Sequence, residues 1–278
     1  MCGRYASFRE AQDLADAFAV SEVAEDARLL PASWNLAPTD PVRVVVEREK
    51  DEEVRRSLRV VRWGLVPGWA KDPSVGSRMI NARVETLTTK PAFRKAAAAR
   101  RCLVPAEGYF EWQARDGASD GPGGGAPTSG RGSRGGRKAQ PKQPYWIHPA
   151  DGGSLAFAGL YEFWRDRARA DDDPLRWLVT MTIVTGDATT QDPSLAAIHD
   201  RRPVILPPEV WDAWLDPALT DPDGVLDVLR RDPPALVARP VSTDVNAVAN
   251  DGPHLLDAVP LPDDAPAMLD LPLELPPA

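Results

Sequence analysis

The sequence predicts an α+β fold, mostly antiparallel β, with a barrel-like core and peripheral helices. Three observations point there. Segments rich in β-branched and aromatic residues recur along the chain, bounded by Gly, Pro or Asp. Helical segments are few. The strands come in runs rather than in strict alternation with helices, which disfavours a parallel doubly wound sheet. The candidate strands are 42–48, 57–66, 101–112, 145–148, 154–163, 176–184 and 236–242. Asp151-Gly152-Gly153 is expected to turn a hairpin between two of them. Candidate helices are 8–19, 91–100, 208–215 and 222–230. Ser7 or a neighbour is placed to cap the first, and Pro91 and Pro208 suit the first turns of the second and third.

Two segments differ from the rest. Residues 114–143 are rich in Gly, Ser, Pro and Arg, with no aliphatic side chain larger than Ala. They cannot bury enough apolar surface to offset chain entropy, which predicts a disordered insertion. Residues 255–278 are rich in Pro, Leu and Asp and are expected to form an irregular acidic tail. The expected domain is therefore 1–254, with the insertion inside it.

At 278 residues the chain is ample for a buried core. It lacks an apolar run of the roughly 20 residues that span a bilayer, and its start, MCGRYASFRE, does not resemble a signal peptide. A cytoplasmic, soluble protein is expected. Its two cysteines and three histidines are scattered without metal-ligand spacing, so neither a disulfide framework nor a metal is expected. Nor is a cofactor, because the glycines at 122–125 do not sit between a strand and a helix. Cys102, in the apolar run CLVPA, is assigned to the core, as are Trp63, Trp177 and Trp211.

The formal net charge is −8, but it is unevenly spread. Residues 251–278 hold six acids and no Lys or Arg, whereas residues 55–111 hold twelve Lys or Arg against four acids. A basic stretch of that size is able to bind phosphates within an acidic protein, although charge alone equally describes a solvated face.

Cys2 follows the initiator Met. Removal of Met1 would leave an α-amine of reference pKa about 7.7–8.0 beside a thiol of about 8.5. Such a pair can form an imine with an aldehyde and close a thiazolidine ring, which a cysteine inside the chain cannot do. Alone the signal is weak, since a cysteine after Met is usually accidental. Two enzyme classes start this way: N-terminal-nucleophile glutamine amidotransferases and one DNA-repair family.

The remaining motifs favour the second. They are MCGRYA at 1–6, WNLAPTDPV at 34–42, RWGLVPGWAKD at 62–72, INARVET at 80–86 and RCLVPAEGYFEW at 101–112. AFAGLYEFW at 156–164, TIVTGDA at 182–188, IHDRRPVIL at 198–206 and VNAVANDGP at 245–253 continue the series. In this order they resemble the SRAP (SOS response-associated peptidase) family of abasic-site crosslinking proteins. Stretches resembling the glutamine-binding loops of the amidotransferases are absent. One departure from the family pattern is Arg202, where the family usually has Met; it is expected to alter packing or a DNA contact locally.

The resemblance implies the following roles. Cys2 is the nucleophile, through both amine and thiol. Asn81 orients groups in the site, Glu111 moves protons during imine formation, and His199 assists opening of the deoxyribose ring. Arg4, Trp69, Arg83 and Trp112 contact DNA, by gripping phosphate or stacking on exposed bases. Glu107 is expected to support Glu111 from the same strand face, shared with Leu103 and Tyr109, and to pair with an arginine. The implied partner is single-stranded DNA with an abasic site, including single-strand–duplex junctions, joined covalently to a monomeric protein. Self-removal of Met1 and a lyase side reaction are further implications. The competing account is a non-covalent binder of modified or single-stranded DNA, which has no need of Cys2.

Overall fold

The computed structural model describes residues 2–50, 53–114, 142–189 and 193–261. The insertion expected over 114–143 therefore falls almost wholly outside the described residues. In chain order the strands are β1 (Tyr5–Ser7), β2 (Glu22–Val23), β3 (Ser33–Leu36), β4 (Pro41–Lys50), β5 (Glu53–Trp63), β6 (Asn81–Arg83) and β7 (Arg101–Ala106). They continue as β8 (Gly108–Gln113), β9 (Gln143–Pro149), β10 (Leu155–Arg165), β11 (Trp177–Asp187), β12 (Arg201–Pro203) and β13 (Leu236–Pro240). The helices are α1 (Ala11–Ala17), α2 (Glu25–Leu29), α3 (Arg94–Ala99), α4 (Pro193–Ala196), α5 (Trp211–Leu215) and α6 (Pro222–Val228).

One sheet runs β12-β11-β10-β7-β4-β5-β2, with β6 added on β11. A parallel pairing of β11 with β5 closes β11-β10-β7-β4-β5 into a five-strand barrel. A second sheet, in the order β13-β9-β8-β1-β3, packs against it. Most pairings are antiparallel, so the predicted fold class holds.

The two-residue period of the strands divides the core. On β4, Val42, Val44 and Val46 join Cys102, Val104, Phe157 and Ile183 in the cluster shared with the second sheet. Val45, Leu103, Ala156, Ala158 and Val184 face the opposite way, onto Leu14 of α1, Ala96 and Ala97 of α3, Trp214 of α5 and Val225 of α6. Cys102 is fully buried, as expected of a small hydrophobe.

Several local expectations are corrected. The segment 101–112 is not one strand: it breaks at Glu107, and its halves lie in different sheets. The break resets the alternation. Cys102, Val104 and Ala106 face the shared cluster before it, and Tyr109 does so after it, so Leu103 is not on the face of Tyr109 and Glu111. Gly108 is required here, because a Cβ would lie 2.5 Å from the Ile147 carbonyl oxygen. The turn at 150–152 forms, but β9 and β10 do not pair; it carries the chain from one sheet to the other. Ser7 is buried in β1 and caps nothing, since α1 begins after Glu10 with no side-chain cap. Trp177 is 47% exposed rather than core, because it opens β11 at the sheet's end, beneath the Arg176 guanidinium. Trp63 is buried, and Trp211 stacks half-buried on Phe18.

After β5 the chain makes an excursion over 64–80. It is stapled where Gly64, at φ +123°, meets Gly76: a Cβ on Gly64 would lie 2.6 Å from the Gly76 oxygen. Leu65 N–H also donates to the Met79 carbonyl at 3.1 Å. Gly64→Ala suffers both backbone strain and a clash with backbone that has no rotamer to yield. It is expected to cost about 2 kcal/mol or more, read as a lower urea midpoint at unchanged slope.

Candidate active site

Cys2 is fully buried, just before the short strand β1. Its segment is fixed by backbone bonds, with Phe110 N–H donating to the Arg4 carbonyl at 3.0 Å and Glu107 N–H to that of Ala6 at 2.9 Å. Asn81 opens β6, which pairs parallel with β11 opposite Ile183. Its Nδ2 donates to the Cys2 carbonyl at 3.0 Å and to the Ile80 carbonyl at 2.9 Å. Trp63 Nε1–H donates to the same Ile80 oxygen at 3.0 Å. Asn81 Oδ1 is buried and has no hydrogen-bond partner among the described residues, leaving an acceptor beside Cys2.

Glu111 lies on β8 opposite Tyr145, on the strand face that carries Tyr109 into the cluster around Cys2. It is 3% exposed, and burial raises its pKa from 4.5 to about 8. Near neutral pH it is mainly a carboxylic acid, able to donate a proton and then take one back. The Cys2 thiol is pushed up strongly, first by burial and then by the negative charge of Glu111. Glu111 and Cys2 are thus electrostatic neighbours, and the thiol is protonated here.

His199 follows α4, whose Leu195 packs with Ile198 in the cluster that holds Cys2. Gln113 Nε2 donates to the Ala197 carbonyl at 3.1 Å, and Tyr145 hydroxyl donates to Gln113 Oε1 at 3.0 Å, tying the His199 loop to the Glu111 strand. His199 Nδ1 lies 2.9 Å from both Arg201 N–H and the Asp200 carboxylate. One nitrogen cannot accept from the first and donate to the second. Burial lowers the His199 pKa and Asp200 is largely exposed, so the neutral ring accepting from Arg201 is favoured. That leaves the proton on Nε2.

The structure thus gathers Cys2, Asn81, Glu111 and His199 from four separate segments. Among the expected DNA-contacting residues, Arg4 and Trp112 meet at Asn246. Arg4 Nη2 donates to its carbonyl at 3.0 Å and Trp112 Nε1 to its Oδ1 at 2.7 Å. Arg4 Nη1 is occupied by Asn35 Oδ1 and the Val245 carbonyl, so this arginine braces the 243–250 loop. Arg83 is exposed two residues beyond Asn81. Trp69, 64% exposed, stands apart on the 64–80 excursion. Glu107 does not support Glu111. It accepts from Phe8 N–H at 2.7 Å and Ser154 hydroxyl at 3.2 Å and pairs with Arg9 at 3.6 Å, the arginine partner expected of it. Arg202 is 2% exposed on β12, so its departure from the family pattern concerns packing, not a surface contact.

Some organising residues had no sequence signal of their own. Asn35 Nδ2 reaches the carbonyls of Val245, Ala247 and Asn250, some 210 residues along the chain. Glu85 grips the Arg201 guanidinium, the nearer oxygen pair at 2.5 Å, beside the His199 loop. Among the described residues no cluster of three or more His, Cys, Asp or Glu is disposed to hold a metal, and no helix is long and apolar enough to cross a membrane.

A family profile described as SOS response associated peptidase (SRAP) matches residues 1–248. The abasic site processing protein YoqW of Bacillus subtilis is 34% identical over 259 residues, covering 93% of this chain and 100% of that protein. The abasic site processing protein HMCES of Gallus gallus is 31% identical, covering 82% of this chain and 67% of its own. Among solved structures, a Bacteroides thetaiotaomicron protein superposes with TM-score 0.70 at 22% identity, covering 93% of this chain and all of that one. A phage-related protein from Bordetella bronchiseptica gives TM-score 0.57 at 31% identity, covering 86% of this chain and 94% of that one. With a profile match over most of its length and the motif residues converging around Cys2, the chain belongs to the SRAP family.

Proposed function

We propose that this protein, once Met1 is removed, bonds abasic deoxyribose in single-stranded DNA through Cys2. The observation that carries the reading is a buried cysteine with its carbonyl held by Asn81 and a proton-bearing Glu111 beside it. The relatives named as abasic site processing proteins support the substrate class.

The chemistry runs without an oxidant or a cofactor. His199 Nε2–H donates to the ring oxygen of the abasic sugar as it opens to the aldehyde. The Cys2 amine adds to C1′, giving a carbinolamine. Glu111 protonates the departing hydroxyl, which leaves as water, and an imine remains. Asn81 Oδ1 accepts a hydrogen bond from the reacting amine or a sugar hydroxyl. The Cys2 sulfur then adds to the imine carbon, and its proton passes by way of Glu111 to the nitrogen. The net change is aldehyde plus aminothiol to thiazolidine plus one water. Burial that holds the thiol protonated makes the sulfur the weaker nucleophile at first, which favours amine attack before ring closure. If closure is slow, the imine permits β-elimination, and strand cleavage is the side reaction. Hydrolysis of the Met1–Cys2 bond by the same groups is the self-processing step of this reading.

In this reading Arg83 and Lys142 are exposed near this site, Arg4 and Trp112 meet at Asn246 on the other face of β8 from Glu111, and Trp69 serves the strand farther out. The deciding experiment is intact-mass spectrometry of the full chain incubated with single-stranded DNA bearing one abasic site. The expected species has the mass of the chain lacking Met1, plus the DNA, minus one water. Protein that has lost Met1 yet yields no such species would overturn the reading in favour of non-covalent binding.

A further inference from the structure

All nine tryptophans lie in described residues, and two of them are exposed, Trp69 and Trp177. Both lie near one end of the β10–β11 pair, the Trp69 segment resting on the face that carries Trp164 and Trp177 projecting from the other. Gly68 abuts the Phe163 carbonyl, and Trp164 Nε1 donates to the Ala70 carbonyl at 2.7 Å, so both chain neighbours of Trp69 are seated on β10. Phe163 and Trp164 pair with Val179 and Leu178, and the next pair is Arg165 with Trp177. One strand spacing and two residues, about 8 Å, separate the Trp177 backbone from that of Phe163, on which Gly68 rests.

Basic side chains connect this region to Cys2. From Trp69 to Asn81 the excursion exposes Lys71 and Arg78, and Arg83 follows, against one exposed acid, Asp72. The Gly64–Gly76 staple makes this stretch a rigid ledge rather than a loose loop. At its far end the Arg176 guanidinium lies 5.6 Å from the Trp177 ring centroid, and Arg48 lies 5.1 Å from that of Phe163. Of the acids nearby, Asp171 pairs with Arg165 and Arg176 and Arg169 pairs with Asp166 and Asp173, while Asp172 is exposed. An exposed indole backed by a guanidinium, at the end of a strand pair whose other face carries a basic ledge, has the composition of a base-stacking platform.

We propose that undamaged single-stranded DNA flanking the abasic site stacks on Trp177, several nucleotides from Cys2. The proposal rests on the reading of the Cys2 site given above and extends it to the length of strand the protein engages. Trp177 lies six residues along β11 from Ile183, the partner of Asn81, which is roughly 20 Å. That span suits the 4–16 nucleotides that single-strand binders commonly cover.

The test uses oligonucleotides carrying one tetrahydrofuran abasic analogue, which has no aldehyde, with flanks of three or twelve nucleotides lengthened on one side at a time. Fluorescence anisotropy with the full chain is expected to show tighter binding when one particular side is lengthened. Trp177→Ala loses that gain, by fivefold or more, as removal of one base–aromatic stack predicts. It binds the short oligonucleotide like the parent, which also shows that it is folded, and Trp177→Phe retains most of the gain. Equal binding of the long oligonucleotide by parent and Trp177→Ala, or no gain from either extension, overturns the proposal. A parallel reaction on an aldehyde-bearing abasic oligonucleotide with three-nucleotide flanks separates the two readings. Adduct there from parent and variant alike leaves the Cys2 chemistry standing whatever the anisotropy shows, and no adduct from the parent sinks that chemistry instead.

Discussion

Cys2→Ala is expected to retain the α-amine and lose the stable product. The variant still forms an imine with an abasic aldehyde, but it has no sulfur to close the ring. On a denaturing gel the slow protein–DNA band disappears, while treatment with a hydride reductant during incubation recovers a band from the trapped imine. Strand cleavage rises at the same time, because the imine now persists long enough for β-elimination. Cys2→Ser separates volume from chemistry: its hydroxyl fills the buried position but is a far weaker nucleophile than a thiol, so it behaves like Ala. A heat-stable band from Cys2→Ala without reductant would remove the thiol from the mechanism. The expected loss is at least a hundredfold in stable adduct, since Cys102 lies inside the chain and its nitrogen is an amide that cannot form the imine.

Glu111→Gln is expected to stabilise the fold at high pH while slowing the chemistry. Burial raises the Glu111 pKa from 4.5 to about 8. Between those values the folded protein holds a proton that the unfolded chain has released. Stability contributed by the protonated carboxyl is therefore complete below pH 4.5 and is lost as pH rises to about 8, at up to about 1.4 kcal/mol per pH unit. Glutamine keeps the shape and does not titrate. The melting temperatures of parent and variant should therefore agree near pH 4.5, diverge in favour of the variant as pH rises, and hold a constant gap above pH 8. The full difference, about three and a half pH units at that slope, is on the order of 5 kcal/mol. The charges bearing on Glu111 are the N-terminal amine and Lys142, which lower its pKa, and Asp200, which raises it; they act on the carboxylate and not on a neutral glutamine in its place. Parallel melting curves across the whole range would show that Glu111 titrates normally. Adduct formation by the variant should fall by about a hundredfold, the usual worth of a positioned acid–base group.

Parts of this structure were legible from the chain and parts were not, for physical reasons. The long strands β4, β5, β10 and β11 are rich in β-branched and aromatic residues, a local property, and they form where that enrichment places them. The sheet to which a strand belongs is not local. Asp151-Gly152-Gly153 looks like a hairpin turn, yet the strands on either side separate into different sheets, because β9 finds β8 and β13 as partners. The three-residue strand β6 is too short for any period, and Asn81 is placed by β11, about a hundred residues away. Cys2, Asn81, Glu111 and His199 were found through motif resemblance, and spacing alone would have left Asn81 as a turn residue. Trp177 sits in an apolar run, but its exposure depends on where β10 ends and on Arg176 lying over its ring.

The break at Glu107 has a consequence for how this protein can change. Glu111 faces Cys2 only because Glu107 and Gly108 offset the alternation established in β7. Deleting or inserting one residue between Ala106 and Tyr109 would turn the carboxyl to the other face of β8, into the cluster of Trp146 and Val245, and bring Phe110 toward Cys2, while β7 and the barrel kept their own register. The placement of Glu111 beside Cys2 is therefore set by a residue count at this break that the barrel's own pairings do not fix.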